Sequence, residues 1–469
     1  MPGATKSKDE VRSSSEFKTL TKHTETHNIW NISFYNILWA ELAHDNLIIN
    51  YALPSKEEVI PATLRYPVHY LHQQMEEWIE TLLESSYRDS QRKKRIKILV
   101  NPSSGQGNAR RLYAKRIEPL LRAAGCIFDS VETKYPGEGS SIAETLDIDA
   151  FDAIAICSGD GLAHEVFNGL GKRPDVSKAL SKIAIAHIPC GSGNGLSHNL
   201  NGTGVVSQAT LAIIKGVRRP LDLVSITQGH ERTLSFLSQA TGMGAESDLA
   251  TEYLRWMRDV RFKIGFLTRI LTQRVYPADI AVKIAIDTKS SILDHYEKEL
   301  LKSNPENPQL NTSQVLESDS DNVNKDRLPP LKYGTIKDDV PSDWVTIPCD
   351  NLGILYCGNL AYVGANAKFF AAALPNDGMM DLLLLDGNLS RCTLLRTFGA
   401  VKNETFFDLP AVRYRKILAY RWAPRGQSSG YLSVDGEKKP FEPYQAEVHQ
   451  GLGTVITKNH QIPGALSSS

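Results

Sequence analysis

The chain has 469 residues, 41% of them hydrophobic, enough apolar material for a buried core spread over two or three packed units. Its 53 basic residues are balanced by 53 acidic ones, which argues against a nucleic-acid partner and requires any charged ligand to be met by local clusters of residues.

Residues 1–16 are polar and rich in Ser and Lys, a composition expected to be disordered. Residues 17–91 read as an N-terminal extension. NISFYNILWAEL and NLIINYAL have the aromatic and β-branched content of short strands, and Val68, Leu71, Met75, Trp78, Ile79 and Leu82 then recur at helical spacing. That stripe is most simply a packing face. A helix lying on a membrane is the sharper alternative, disfavoured by the several Glu on its polar side. The RKKR run at 92–95 reads as a solvated charge cluster before a strand.

From 92 to 221 strands and helices alternate. IKILVNP (96–102), CIFDSVET (126–133), AIAIC (153–157) and IAIAHI (183–188) are strands, with helical stretches between them and a further helix over 205–217. This pattern predicts a doubly wound, mostly parallel α/β sheet of Rossmann-like type, with ligands at the carboxyl ends of its strands. From 222 to 460 strands dominate, including LDLVSIT, RTLSFLSQAT, ADIAVKIAI, LGILYCG, MMDLLLLD, KILAYRWA and YLSVDGE. They predict an all-β second domain, a sandwich or barrel, with helices at about 246–272 and 390–401. Residues 288–343 are long and polar with no apolar period, so a disordered surface insertion is expected there, and 461–469 form a tail.

Two glycine-rich turns, SGDGLAHEVFNGL at 158–170 and PCGSGNGLSHNL at 189–200, each join an apolar strand to a helix. Backbone amides in such turns hold phosphate, and Asp160 adds a carboxylate between Gly159 and Gly161. A lone Gly-Asp-Gly is ordinary turn chemistry. Here a third turn with Ser104, Gly105 and Gly107 follows Asn101-Pro102, and all three fall on one sheet edge. No GxxxxGK[ST] occurs, and no GxGxxG sits on the first strand, which disfavours P-loop and ordinary dinucleotide readings.

NPSSGQGNA, SGDGLAHEVFNGL, IPCGSGNGL and YLSVDGE, in this order, resemble the sequence blocks of the lipid kinases related to diacylglycerol kinase. SGDGL, with Leu162 where GGDGT members carry Thr, is similar to the sphingosine or sphingoid long-chain base kinases, fungal members above all. The likeness covers about 96–286 and 344–456. It implies a nucleotide-binding catalytic domain followed by a β-sandwich lipid-kinase domain, and ATP-dependent phosphorylation of the primary hydroxyl of a sphingoid base.

Carried over residue by residue, the resemblance makes Asp160 the catalytic base. It puts Asn101, Pro102 and Ser103 in a nucleotide-contacting turn, and Thr133, Lys134, Tyr135, Pro136 and Gly137 in a second nucleotide-side loop. Ser158, Gly159, Asp160 and Gly161 stand where nucleotide and lipid headgroup meet, Gly191, Ser192 and Gly193 hold phosphate, and Glu165 touches the nucleotide. In 244–265, Asp248 matches an amine-binding carboxylate and Arg255 and Arg261 match nucleotide-side arginines; by composition alone that helix is a solvated face. Asp435, Gly436 and Glu437, by themselves a hairpin signal, match a block that completes the nucleotide or metal environment. Mg²⁺ is expected to be bridged by phosphates with one or two carboxylates, none of them assigned. The apolar runs 352–374 and 262–271 serve equally as a lipid-tail pocket or as core.

The six cysteines form no CxxC pair and read as reduced thiols of a cytoplasmic protein. No apolar run approaches the roughly 20 residues of a membrane span, and MPGATKSKDEVRSSS lacks the apolar core of a signal peptide, so contact with an endomembrane or the plasma membrane is expected to be peripheral. A homodimer is left open. The competing functions are a ceramide or diacylglycerol kinase, a soluble-substrate kinase of the NAD-kinase type, and a non-catalytic lipid- or nucleotide-binding regulator.

Overall fold

Four strands pair in parallel in the spatial order Ile127–Glu132, Arg95–Val100, Ala153–Ser158, Ala184–Pro189. Every residue of the last two is buried, which is why they read as unbroken apolar runs rather than as alternation. The strand order reverses between Arg95–Val100 and Ala153–Ser158. A crevice opens at such a switch point, outside the carboxyl ends of the strands. The structure, a computed structural model, describes residues 11–14, 19–22, 30–68, 72–250, 260–302, 327–365 and 367–458.

The antiparallel half continues the same hydrogen-bonded sheet. Tyr444–Thr457 pairs in parallel with Ala184–Pro189 at Val455 and Ile185, and antiparallel with both Val217–Gln228 and Arg413–Pro424. From there the ladder runs through Met380–Asp386, Leu352–Gly358, Ser238–Gly242 and Leu432–Val434 to Glu437–Lys439. Its strands close over a core that includes Val224, Ile280, Leu355, Leu384, Tyr420 and Tyr444, as expected of a sandwich. The expected boundary near Leu221 falls inside one strand, Val217–Gln228, which crosses from one half to the other.

Three further expectations change. Within the stretch 288–343, Lys289–Lys302 is a helix that buries Ile292 and Tyr296 and rests Leu300 on the same core; those three residues recur every fourth position, a helical period masked by the polar residues between them. Residues 332 and 333 are fastened to the sheet, their N–H groups donating to the buried carboxylate of Glu447 at 2.9 and 3.0 Å. Near the N-terminus, Val11–Ser14 pairs with Thr19–Lys22 inside a stretch expected to lack order. Of the helix expected over 246–272, the described residues show a helix that starts earlier, Met243–Leu249, and a second, Val260–Thr272; residues 251–259 lie outside the described residues.

The extension is welded to the catalytic half. Ile37–Ala43, Asn46–Ser55 and Glu58–Pro67 form an antiparallel sheet, and the following helix, His72–Tyr87, buries Ile79, Leu82 and Leu83. Their apolar residues share one core with Ile98, Leu120 and Ile188. Tyr87 Oη donates to Leu38 O at 2.5 Å, and Val59 N donates to Ser207 Oγ at 3.0 Å. Val68, Met75, Trp78, Ile79 and Leu82 of the helical stripe therefore form a packing face and not a membrane-lying one; Leu71 lies outside the described residues.

Candidate active site

The register pairs Pro189 with Ser158, so the two glycine turns leave the sheet side by side. They touch backbone to backbone. A Cβ on Gly191 would lie 2.3 Å from Gly159 Cα, and a Cβ on Gly159 would lie 2.9 Å from Gly193 O. The third turn locks onto the second, because Gly105 has a φ of +62° and a Cβ there would meet Cys190 O at 2.7 Å. These glycines are needed for the close approach of one turn to another, whatever ligand they also admit.

Asp160 opens the helix Asp160–Gly171. Its carboxylate accepts from Gly195 N at 2.8 Å and Leu196 N at 3.0 Å, the first residues of the helix Gly195–Asn201. The charge is thus fixed by two amides of the neighbouring turn, with lone pairs left over for a ligand. The ring of His187 is 3.8 Å away; complete burial lowers its pKa, so it stays neutral beside the carboxylate.

The loops that follow the parallel strands are ordered by their own polar residues. Asn101 Oδ1 accepts from Ser103 N at 3.0 Å, and its amide reaches Ser158 Oγ at 3.3 Å. Asn194 folds the second turn by accepting from Gly191 N and donating to Gly191 O. Glu165 accepts from Gly137 N and Gly139 N at 3.0 and 2.9 Å, which ties the 133–137 loop to the catalytic helix. Leu162, the residue that distinguishes SGDGL, is 5% exposed and packs against Gly139. It supports that loop, and its sequence signal is one of packing.

Asp435 and Gly436, with φ of 52° and 84°, form the tight turn between Leu432–Val434 and Glu437–Lys439. Asp435, expected to complete a nucleotide or metal environment, is held on both sides by protein partners. At 1% exposure its carboxylate accepts from Ser235 Oγ at 2.7 Å, Phe236 N at 3.2 Å, Leu237 N at 2.9 Å and Ser238 N at 3.0 Å. His164 Nδ1, on the catalytic helix, lies 2.8 Å from its other side. The side chain is a clamp between the two halves. Glu437 instead extends over the first turn of the catalytic helix, where a Cβ on Gly161 would fall 2.3 Å from its Oε1.

One cavity of 890 Å³ gathers these elements. Of the expected residues, Asn101, Ser103, Thr133, Lys134, Tyr135, Pro136, Ser158, Gly159, Asp160, Gly161, Glu165, Gly191, Ser192, Gly193, Asp248, Asp435, Gly436 and Glu437 line it. Pro102 and Gly137 sit in the same loops but off its wall. Arg255 lies outside the described residues, as does the side chain of Arg261 on Val260–Thr272. Asp248 lies in the last turn of the short helix Met243–Leu249, and Ser433 Oγ donates to its Oδ2 at 3.5 Å. That helix is anchored by the buried Glu246, bound to Arg269, Arg274 and the Tyr276 hydroxyl at 2.7, 3.1 and 2.8 Å. The same cavity is also lined by apolar side chains, among them Phe266, Leu267, Ile270, Phe369, Phe398 and Val401. The runs 262–271 and 352–374 thus supply both lining and core. Glu246 gave no sequence signal, because one Glu in a charged helix looks like any solvated residue.

Residues 95–226 match the diacylglycerol kinase catalytic domain, and residues 4–88 match a domain of unknown function, DUF7493. Sphingoid long chain base kinase 5 of Saccharomyces cerevisiae is 34% identical over 460 residues, covering 87% of this chain and 66% of the yeast protein. Sphingoid long chain base kinase 4 of Schizosaccharomyces pombe is 29% identical, with 91% of this chain and 88% of that protein covered. The chain belongs to the family of sphingoid long-chain base and sphingosine kinases. Human sphingosine kinase 1 is 28% identical across 77% of this chain and 91% of its own length. The fold extends to a solved diacylglycerol kinase structure from Bacillus anthracis, with a TM-score of 0.50 at 16% identity over 78% of this chain and 97% of that one. Membership of this kinase family makes ATP the phosphoryl donor. Among the described residues no group of three or more His, Cys, Asp or Glu side chains forms a ready metal site, and no helix is long and apolar enough to cross a membrane.

Proposed function

We propose that the chain transfers the γ-phosphate of ATP to the primary hydroxyl of a sphingoid long-chain base such as sphingosine, dihydrosphingosine or phytosphingosine. The observation that carries this reading is one cavity lined by the Asp160 carboxylate, the Asp248 carboxylate and a set of apolar side chains. A 2-amino-1-alkanol with a long tail offers one group to each of those three environments. Asp248 suits a protonated amine, which ceramide and diacylglycerol lack. In the reaction the lipid oxygen forms a bond to the γ-phosphorus as the bond from phosphorus to the ADP oxygen breaks, and the hydroxyl proton passes to Asp160.

The interlocked turns bring the Ser192 and Gly193 backbone to the same wall, where amides favour phosphate oxygens. Mg²⁺ neutralises phosphate charge when bound. Glu437 would be a ligand to it, since a phosphate-bridged Mg²⁺ needs few protein ligands and the Asp435 carboxylate is already engaged by protein donors.

The test is transfer of labelled phosphate from ATP to sphingosine, dihydrosphingosine, phytosphingosine, ceramide and diacylglycerol, by wild type and Asp248→Asn. Bases should be the preferred acceptors, and the variant should lose roughly tenfold or more in kcat/KM toward them. Transfer to diacylglycerol alone would end this reading.

Peripheral membrane contact belongs to the same proposal. On Val260–Thr272, Ile264, Leu267 and Leu271 are 36, 49 and 56% exposed, and on Arg391–Lys402 Leu395 is 49% exposed. Leu267 and Leu395 also line the cavity, so the apolar patch surrounds its lipid-side mouth. Replacing Leu267 and Leu271 together with Asp is expected to weaken sedimentation with liposomes and to raise KM for base presented in liposomes, while activity on base in detergent micelles falls far less. Equal losses in both presentations would show that the patch is needed for something other than the bilayer.

A further inference from the structure

Three cavity-lining side chains form a hydrogen-bonded chain that joins two of the strand-end turns: Asn101 and Ser104 after Arg95–Val100, and Ser158 at the end of Ala153–Ser158. Its direction is fixed from one end. Asn101 Oδ1 accepts from Ser103 N, so the Asn101 amide meets Ser158 Oγ with its NH₂ and is the donor there, at 3.3 Å. Ser158 Oγ donates in turn to Ser104 Oγ at 3.2 Å. The hydrogen left over is the one on Ser104. Among the described residues no acceptor takes it, and Ser104, 8% exposed, lines the cavity. Its backbone is already committed to the turn, with Ser104 N donating to Asn101 O and Ser104 O accepting from Gly107 N, both at 3.0 Å. A hydroxyl held in this way offers the cavity a single preoriented donor.

The surroundings determine which ligand atom meets it. Gly105, next in the chain, is locked against Cys190 O, so Ser104 stands beside the second glycine turn, whose Gly191, Ser192 and Gly193 share the wall. Among the described residues on that wall, Lys134 and Lys402 are the only Lys or Arg side chains, against the carboxylates of Asp160, Glu165, Asp248 and Glu437. Anionic oxygens there depend on neutral N–H and O–H donors, and a hydrogen bond to a charged acceptor is the strong kind. A lipid ammonium, itself a donor, cannot take the Ser104 hydrogen. We infer that Ser104, oriented through Ser158 by Asn101, donates its hydroxyl hydrogen to a phosphate oxygen of the bound nucleotide. This rests on the reading above that the glycine turns hold the phosphates. It adds a side chain to the three residues of that turn already expected at the nucleotide, of which Pro102 sits off the wall.

The experiment uses the full chain, as wild type and Ser104→Ala, with Mg²⁺ present. Titration calorimetry measures Kd for AMP-PNP (the non-hydrolysable imido analogue of ATP), ADP and adenosine, and turnover assays give KM for ATP and for sphingosine. In the variant AMP-PNP affinity should fall about tenfold and KM for ATP should rise with it, while adenosine affinity, KM for sphingosine and the thermal unfolding midpoint stay near wild type. A parallel loss for ADP supports the inference with the contact on the α- or β-phosphate, and a loss for AMP-PNP alone supports it with the contact on the γ-phosphate. Unchanged AMP-PNP affinity in the folded variant, or an equal loss for adenosine, overturns the inference and leaves the kinase reading standing. A wild type that binds neither AMP-PNP nor ADP overturns both. If Ser104→Ala unfolds, Ser104→Cys, similar in size but a weak donor, takes its place with the same readouts.

Discussion

Substituting Asp160 with Asn is expected to lower kcat for the base acceptor by about 10³-fold, at the middle of the range for removal of a positioned general base. The change is nearly isosteric, but its effect is twofold. The amide cannot take the proton from the attacking hydroxyl. It also offers one oxygen to two amides, Gly195 N and Leu196 N, that now share the carboxylate. Turning its NH₂ toward either of them sets donor against donor, at a cost of about 1–3 kcal/mol for the unpaired group. The loss should therefore appear in kcat together with a lower unfolding temperature, while ATP affinity measured by equilibrium binding changes little. Full activity in Asp160→Asn would remove this residue from the mechanism and revive the reading of the chain as a non-catalytic binder.

Asp435→Ala is expected to be the most destabilising single change in the site. It strips the partner from three backbone N–H groups, a serine hydroxyl and His164, all of buried residues. Removing one side of such a buried charged network costs about 3–5 kcal/mol. Thermal unfolding followed by circular dichroism, with and without ATP, should show a large drop that nucleotide does not rescue. Glu437→Ala is the contrasting substitution. Its side chain is exposed and lies over Gly161, so the fold should survive while the Mg²⁺ dependence of turnover changes. Normal stability of Asp435→Ala combined with weakened ATP binding would return Asp435 to the role of a ligand.

The parallel strands and their turns were legible because both chemistries are local: unbroken apolar runs mark strands covered on both faces, and glycine marks the turns after them. Gly159 and Gly191 illustrate what local reading leaves out. Their identity is enforced by each other across more than thirty residues of sequence, a contact that exists only once two strands are in register. Asp435 was legible as a turn residue and as part of a block, but not in the direction of its carboxylate, because the amides it holds come from residues 236–238. Leu162 carried a family signal whose physical content is packing on Gly139. The helix Lys289–Lys302 was missed although Ile292, Tyr296 and Leu300 spell its period, since polar composition outweighed three residues.

The strand Tyr444–Thr457 has a consequence for how the molecule is made. It supplies Val455 and Ile456 to the cores on the two faces of the parallel sheet and is the partner of Ala184–Pro189 along its otherwise open side. A ribosome emitting the chain in order therefore exposes the catalytic half, with that strand edge unpaired, for the time taken to synthesise some 250 further residues. Pairings between residues so distant in sequence form slowly. Closure of the half that matches the catalytic domain waits on that synthesis, and the yield of folded protein should depend on chaperone capacity more than that of a kinase whose catalytic sheet is finished early.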